Sequence, residues 1–389
     1  MTAPTREDER FMAAALRLAR RNLGLTSTNP SVACIIVKDG TIVGRAVTAP
    51  GGRPHAETQA LAEAGEKARG ATAYVTLEPC SHHGKTPPCA DALIASSVAR
   101  VVVSILDPDE RVAGRGVVML RDAGIAVDIG VLHRDGERAL EAYLMRQRLK
   151  RPHVTLKLAV SQDGMIGRTG EGQVRITGEI SRAQVQMLRA ETDAILVGVG
   201  TASADDPELT VRLPGLEGRS PIRIVLDRRL ELPMNSKLVQ SAREVPLIVV
   251  AGDASFRSPR SRGEGARRAD EGQSPLSPQA ERGGDYATRR AALEAAGAEV
   301  LNADTIPDLL AALASRGTSS LLVEGGARAA GAFLDAGLVD RILLFTGPIT
   351  IGEDGIRSPF DRQSIPAGFM LRRAARYGDD IFEDYERDI

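Results

Sequence analysis

Two stretches decide the fold: His55-Ala56-Glu57, and Leu77-Glu78-Pro79-Cys80-Ser81-His82-His83-Gly84-Lys85-Thr86-Pro87-Pro88-Cys89. One imidazole, two thiols and a carboxylate two residues after the histidine make up a hydrolytic zinc site. Zinc takes imidazole and thiolate ligands, and a catalytic site leaves its fourth position to water. The bound metal brings that water's pKa from ~15.7 down to roughly 7. A carboxylate that is not a ligand, here Glu57, then carries protons. A disulfide between Cys80 and Cys89 is the competing reading of the two thiols. The third cysteine, Cys34, lies in an apolar run and reads as a small core residue.

Working outward, Asp8 to Arg21 reads as a helix, with Phe11, Met12, Ala15, Leu16 and Ala19 on one face. Gly24 ends it. Val32 to Val37 and Ile42 to Val47 are strands joined by a hairpin at Lys38-Asp39-Gly40. Ala56 to Lys67 is a helix with Glu57 in its first turn. Ala73 to Leu77 is a buried strand that leads to Cys80, and Cys89 opens a helix, Ala90 to Ser97. A cysteine near a helix N-terminus has a lowered pKa, which suits thiolate ligation. Arg100 to Ile105 is a strand, followed by a turn at Asp107-Pro108. A helix follows Gly114-Arg115-Gly116. Ile125 to Ile129 is a strand, and Asp135 to Lys150 reads as one helix. Alternating strands and helices predict a three-layer α/β/α domain, and the hairpin makes its sheet mixed.

At 389 residues the chain should hold two domains, by a prior of about 100–200 residues each. Pro152 sets the boundary, giving 1–150 and 151–389. Three cysteines are too few for a disulfide framework. Aromatics at 3% and the absence of tryptophan argue against stacking on single-stranded nucleic acid. A net charge of −1 with no basic block argues against a phosphate-backbone surface. The polar start, Met1 to Arg10, has no signal-peptide character, and no apolar run reaches ~18 residues. These features predict a cytoplasmic enzyme with a small-molecule substrate and neither a nucleic-acid nor a membrane partner.

In the second half, His153 to Val160 alternates as a strand and Ser161-Gln162-Asp163-Gly164 turns. Thr177 to Arg189 reads as a helix capped by Thr177. Ala194 to Val199, Ile222 to Leu226 and Val245 to Val250 are strands. Residues 252–285 are rich in Ser, Arg, Gly, Glu and Pro, and read as a flexible surface insertion. Arg289 to Ala296 and Ile306 to Ala314 are helices flanking a strand, Glu299 to Leu301. Ser320 to Val323 runs through Glu324 into Gly325-Gly326 and a helix, Ala327 to Ala336. Glycines before a helix N-terminus allow a phosphate to approach closely. Asp340 to Thr346, Pro348 to Ile351, Arg372 to Tyr377 and Ile381 to Glu386 read as late strands.

His55-Ala56-Glu57 with Pro79-Cys80 matches the H-x-E and P-C part of the zinc base-deaminase signature. Here eight residues, not two, separate the cysteines. Residues 8–150 resemble the cytidine-deaminase-like superfamily. Asn29-Pro30-Ser31-Val32, the run from Val75 to Cys89, and Asp107-Pro108 with Gly114-Arg115-Gly116 are similar to one branch of it. That branch is the deaminase half of the bifunctional riboflavin-biosynthesis deaminase–reductase family. Leu156-Lys157-Leu158-Ala159, Ser161-Gln162-Asp163-Gly164, Ala204-Asp205-Asp206-Pro207 with Leu209-Thr210-Val211-Arg212, and Val323-Glu324-Gly325-Gly326 resemble the reductase half. The resemblance implies a dihydrofolate-reductase-like α/β fold and NADPH for that second half.

For the first half it implies one zinc ion on His55, Cys80 and Cys89, Glu57 as proton shuttle, and Asn29 against the substrate. His82, His83 and Lys85 are either solvated loop residues or contacts to a ribose phosphate. In the second half it implies cofactor contacts at Ala159, Arg175, Thr201 and Asp205, and along Gly326, Ala327, Arg328, Ala329, Ala330, Gly331 and Ala332. Substrate contacts fall at Gly172, Arg189, Leu209, Arg212 and Glu324. The implied reactions are hydrolytic deamination of 2,5-diamino-6-(5-phosphoribosylamino)pyrimidin-4-one, then reduction of the product's ribosyl group to ribityl. A homo-oligomer is expected. Two departures stand out. Gly172-Gln173-Val174-Arg175-Ile176-Thr177 replaces a Ser-Gln-Trp-Ile-Thr run, and Arg328 replaces a small residue. They motivate one competing reading, an active deaminase whose second domain has lost catalysis. A nucleic-acid or nucleoside deaminase and a purely structural zinc module are the others.

Overall fold

Eleven elements build the first half. They are α1 (Arg6–Ala19), β1 (Ala33–Lys38), β2 (Thr41–Val47), α2 (Ala56–Ala64), β3 (Thr72–Leu77), α3 (Cys89–Ala95), β4 (Arg100–Ile105), α4 (Arg115–Asp122), β5 (Ala126–Ile129), α5 (His133–Ala139) and α6 (Glu141–Leu149). The structure is a computed structural model that describes residues 4–84, 87–252 and 278–387. The chain divides into two units, Met1–Pro152 with Ala314–Ser319, and His153–Leu313 with Ser320–Ile389.

The first unit's sheet runs in the order β2-β1-β3-β4-β5. β1 is antiparallel to both neighbours, whereas β3, β4 and β5 are parallel. The sheet is therefore mixed. Strand residues alternate between its faces. Ile36, Val75 and Val103 pack one face against Ala60, Leu93 and Leu120. Ile35, Tyr74 and Val102 pack the other against Phe11, Met12 and Leu16. The apolar stripe read on α1 is its buried face. Gly44 lets α2 sit directly on β2, because a Cβ there would lie 2.2 Å from the Ala60 carbonyl oxygen.

The helix expected over Asp135–Lys150 is two, α5 and α6, broken at Leu140 (φ −116°, ψ 13°). Leu140 is buried in the core beside Tyr143 and Leu144. Gly136 lies against Ser104, whose Oγ would be 2.3 Å from an added Cβ. The break lets both helices reach the sheet.

The second unit continues with β6 (His153–Val160), β7 (Met165–Arg168), α7 (Glu179–Ala190), β8 (Ala194–Gly198), α8 (Val199–Asp205), β9 (Ile222–Leu226), α9 (Lys237–Gln240) and β10 (Leu247–Ala251). After residues 253–277 come α10 (Pro278–Ala296), β11 (Glu299–Asn302), α11 (Ile306–Ser315), β12 (Ser320–Val323), α12 (Ala327–Asp335), β13 (Arg341–Thr346), β14 (Gly355–Arg357), β15 (Phe369–Tyr377) and β16 (Asp380–Arg387). Nine strands form one sheet in the order β11-β10-β9-β8-β12-β6-β13-β16-β15. Strands β11 through β13 are parallel, and β16 and β15 are antiparallel. Apolar clusters cover both faces.

Several expectations are corrected here. Most of the predicted insertion, residues 253–277, lies outside the described residues, but 278–285 belong to α10. β7 and α8 were not predicted. Residues 348–351 are not a strand: Asp163 accepts the N–H groups of Ile351 and Gly352 at 3.1 and 2.8 Å and holds them as a loop. β7 pairs with β14 instead. Thr177 does not cap α7. Its cap is Gly178, and Asp380, distant in sequence, accepts from Gly178 N–H at 2.8 Å and Ser181 Oγ at 2.5 Å. Ser181 is fully buried. A buried donor left unpaired costs about 1–3 kcal/mol. Asp380→Ala is therefore expected to lower the unfolding free energy of this unit by about 3 kcal/mol. Urea unfolding followed by circular dichroism reads that loss, and a change below ~1 kcal/mol would rule out Asp380 as the tie that holds the start of α7.

Candidate active site

The residues expected to bind metal are delivered by strand and helix ends. His55 is the extended residue that opens α2. Cys80 follows β3 by three residues, and Cys89 is the first residue of α3. His55 Nδ1 lies 3.3 Å from Cys89 Sγ and 3.7 Å from Cys80 Sγ. One donor atom from each of the three residues lies within 4.8 Å of the others. Both thiols are free, which removes the disulfide reading. The Cys89 N–H donates to Cys80 Sγ at 3.2 Å.

Hydrogen bonding from Cys89, with help from His55, holds the Cys80 thiol down to about 4. The same contact with Cys80, then burial, pushes the Cys89 thiol up. Metal binding at such thiols releases protons. An imidazole and two thiols at this spacing fit zinc. Glu57, 3% exposed, lies one helical position past the start of α2. Burial, then the charge of Cys80, raises its carboxyl to about 7.

Asn29 sits against Gly52, close enough that a Cβ on Gly52 would be 2.3 Å from Asn29 Nδ2. This seats Asn29 beside the segment leading to His55. His83 is exposed, while His82 Nδ1 is buried without a hydrogen-bond partner. Lys85 lies outside the described residues.

In the second unit a cleft of ≈1730 Å³ opens where the parallel strands β8, β9, β10 and β12 end. Ligands of open α/β sheets bind at such carboxyl ends. Arg189, on α7, donates from Nε and Nη2 to the two Glu324 oxygens at 2.8 and 3.0 Å. Lys157 Nζ, on β6, is 3.8 Å from the same carboxylate. Burial opposes the charge on Glu324, but Arg189 and then Lys157 outweigh it and hold its carboxyl below the usual range. Burial pulls the Lys157 ammonium down.

Of the expected cofactor contacts, Ala159, Arg175, Thr201 and Asp205 line this cleft, as do Gly326, Ala327, Arg328, Ala329 and Ala332. Ala330 points into the core and Gly331 does not line the cleft, because α12 turns them away. Gly172, Arg189, Leu209, Arg212 and Glu324 line it as well. Gly325 approaches Ala329 so closely that a Cβ would lie 2.6 Å from the Ala329 methyl. The Gly326 N–H donates to Thr201 Oγ1 at 3.1 Å. Such a tight glycine turn at a helix start fits a dinucleotide phosphate. Sequence reasoning gave no role to Lys157, quoted only within a motif, or to Arg228 and Arg229, which also line the cleft. The available signal for Lys157 was a lysine on the same strand face as Ala159.

Residues 152–382 match the family model described as the RibD C-terminal domain. The chain belongs to the RibD family. Residues 5–105 match the model for the cytidine and deoxycytidylate deaminase zinc-binding region. The riboflavin biosynthesis protein RibD of Aquifex aeolicus is 38% identical over 357 residues, covering 90% of this chain and 91% of its own. That of Escherichia coli K12 is 40% identical over 359 residues, covering 90% and 89%. The solved structure of Acinetobacter baumannii RibD, form 1, has a TM-score of 0.81 at 32% identity and covers 98% of this chain and 99% of its own. A Thermotoga maritima structure titled diaminohydroxyphosphoribosylaminopyrimidine deaminase/5-amino-6-(5-phosphoribosylamino)uracil reductase has a TM-score of 0.79 at 31% identity, with the same coverage. This RibD-family chain is a bifunctional riboflavin-biosynthesis enzyme. It joins a cytidine-deaminase-like zinc domain to an NADPH-dependent reductase domain.

In the first unit, Asp107 accepts from Tyr143 Oη and Asp109 N–H, both at 2.9 Å. Burial raises its carboxyl from 3.8 to about 6. The neutral form is thus favoured in the folded chain. Its stabilisation is complete below the unfolded pKa and is lost as pH rises through about 6. The shift corresponds to about 3 kcal/mol. Asp107→Asn is expected to remove that loss between pH 4 and pH 7. Unfolding free energies at the two pH values, compared with the unsubstituted chain, measure it, and an unchanged difference would exclude a neutral Asp107.

Proposed function

We propose that the first unit hydrolytically removes an amine from 2,5-diamino-6-(5-phosphoribosylamino)pyrimidin-4-one. The second unit then reduces the product's ribosyl group to ribityl with NADPH. The observation that carries this reading is the convergence of His55, Cys80 and Cys89 beside a buried Glu57, in a chain that also holds the reductase cleft.

His55, Cys80 and Cys89 would hold zinc, which when bound supplies an activated water at neutral pH. Glu57 takes a proton onto its carboxylate, passes it to the pyrimidine ring nitrogen, and gives a further proton to the departing amine. Its carboxyl, raised to about 7, suits a group that must accept and donate near neutrality. Asn29 positions the ring or ribose, and the His82-His83 segment contacts the ribose phosphate.

In the second unit, Thr201, Asp205, Ala159, Arg175 and the start of α12 seat NADPH, which supplies the hydride. Gly172 and Leu209 bound the substrate. Arg189 is already engaged at both ends of the Glu324 carboxylate, so it positions Glu324 and is not a phosphate clamp. Phosphate recognition falls to Arg212, which is exposed and pairs with Glu208 on the surface at 3.0 Å.

A coupled assay that follows ammonia and NADPH separately tests both halves. Glu57→Gln is expected to keep zinc, slow ammonia release by ~10²–10⁴-fold, and leave NADPH oxidation on supplied deaminated product unchanged. Glu324→Gln should do the reverse. Full deaminase activity in zinc-loaded Glu57→Gln would defeat the mechanism. No NADPH oxidation by the unsubstituted enzyme would leave the second domain a binding module.

We further infer a homo-oligomer in the cytoplasm. β15 is the outermost strand of its sheet and exposes Met370 and Leu371 by 57% and 53%. An edge strand offers unpaired backbone groups to a partner. Sedimentation is expected to show at least two chains, dissociated by Met370→Lys with Leu371→Lys, and a monomeric unsubstituted chain would refute it. Free thiol ligands and NADPH suit the cytoplasm. Cell fractionation that finds the activity elsewhere would overturn that location.

A further inference from the structure

We propose that Glu78 is a positioning residue of the metal centre, tying the Cys80 segment to the start of α4. This rests on the reading that His55, Cys80 and Cys89 hold zinc. Glu78 is 3% exposed. Its carboxylate accepts the backbone N–H groups of Asp107 at 3.3 Å, Gly114 at 3.0 Å and Val117 at 3.2 Å. Its own N–H donates to the Ile105 carbonyl at 3.0 Å. α4 starts after Gly114, a left-handed residue at φ 87° with no side chain to cap the helix. The first N–H groups of a helix need an acceptor, and the positive helix end favours a carboxylate. Glu78 supplies both from a different strand.

The next residues carry that restraint to the ligand. The Pro79 carbonyl lies against Gly116, where an added Cβ would be 2.0 Å from its oxygen. On the far side of Cys80, Ser81 Oγ donates to the Arg111 carbonyl at 3.3 Å. Cys80 is thus bracketed by ties to the 107–117 segment. Its other side faces the start of α3: Sγ accepts from Cys89 N–H, and its carbonyl accepts from Ala90 N–H, both at 3.2 Å. Glu78-Pro79-Cys80 and Gly114-Arg115-Gly116 are therefore two halves of one clamp. Loss of a residue that orients a ligand weakens metal binding by about 10–100-fold. A helix cap and nothing more would lower stability and leave zinc affinity alone.

The test is zinc competition against a chromophoric chelator on the full-length chain, comparing Glu78→Gln with Asp8→Asn. Asp8 stabilises the same unit elsewhere, through Arg100 and Tyr74. Glu78→Gln should bind zinc at least about fivefold more weakly than Asp8→Asn, and its cobalt-substituted form should show a shifted thiolate absorption band. Gly116→Ala pushes the Pro79 carbonyl from the opposite side and should weaken zinc by the same threshold; it decides the matter alone if Glu78→Gln does not fold. A smaller difference overturns the inference. An unsubstituted chain that binds no zinc overturns the ligand reading beneath it, whereas tight binding by both chains overturns only the role of Glu78.

Discussion

Three donor atoms must converge to within 4.8 Å, and they come from residues up to 34 positions apart. That convergence constrains the whole first unit. His55 and Cys89 each sit at the start of a helix, and Cys80 follows the end of the central strand β3. The Cys89 N–H at the start of α3 donates to Cys80 Sγ and favours its thiolate. Gly44 allows α2 to lie on the sheet at all. Close packing of α2 beside β1 and β2 then sets where His55 and Glu57 project. A buried Glu57 would be unfavourable as a lone charge.

The second unit is organised around a buried charge cluster. Arg189, Lys157 and Glu324 lie together where the parallel strands end. Burying charges is expensive even when they pair, and well-packed apolar residues are often as stable. Their presence at the cleft wall therefore points to substrate handling rather than to support of the fold. Arg189 pays for Glu324's ionisation, which leaves Lys157 as the group whose charge burial most opposes.

Much of this was legible in sequence because its signals are local. The apolar stripe of α1, the alternation in β6 and the hairpin after Val37 need only neighbouring residues to be read. The metal-binding set was legible because few side chains bind zinc. Long-range contacts were hidden. Nothing near Thr177 announces that Asp380 ties down Gly178 and Ser181 at the start of α7. Leu140 reads as one more helical leucine, yet the core demands a break there. Residues 348–351 are apolar enough for a strand but are held as a loop by Asp163.

By itself the sequence determined the chemistry of the parts: imidazole, thiols and carboxylate at signature spacing, a strand–glycine–helix turn, and alternating α/β elements. These follow from residue type and local periodicity. Only the tertiary structure decided which groups are already spent on each other. Arg189 is bound to both oxygens of the Glu324 carboxylate. Glu78 is turned inward to hold the loop beside Cys80. Ala330 faces the core while Ala329 faces the cleft. A side chain's partners depend on distances across the fold, and sequence spacing does not encode those distances.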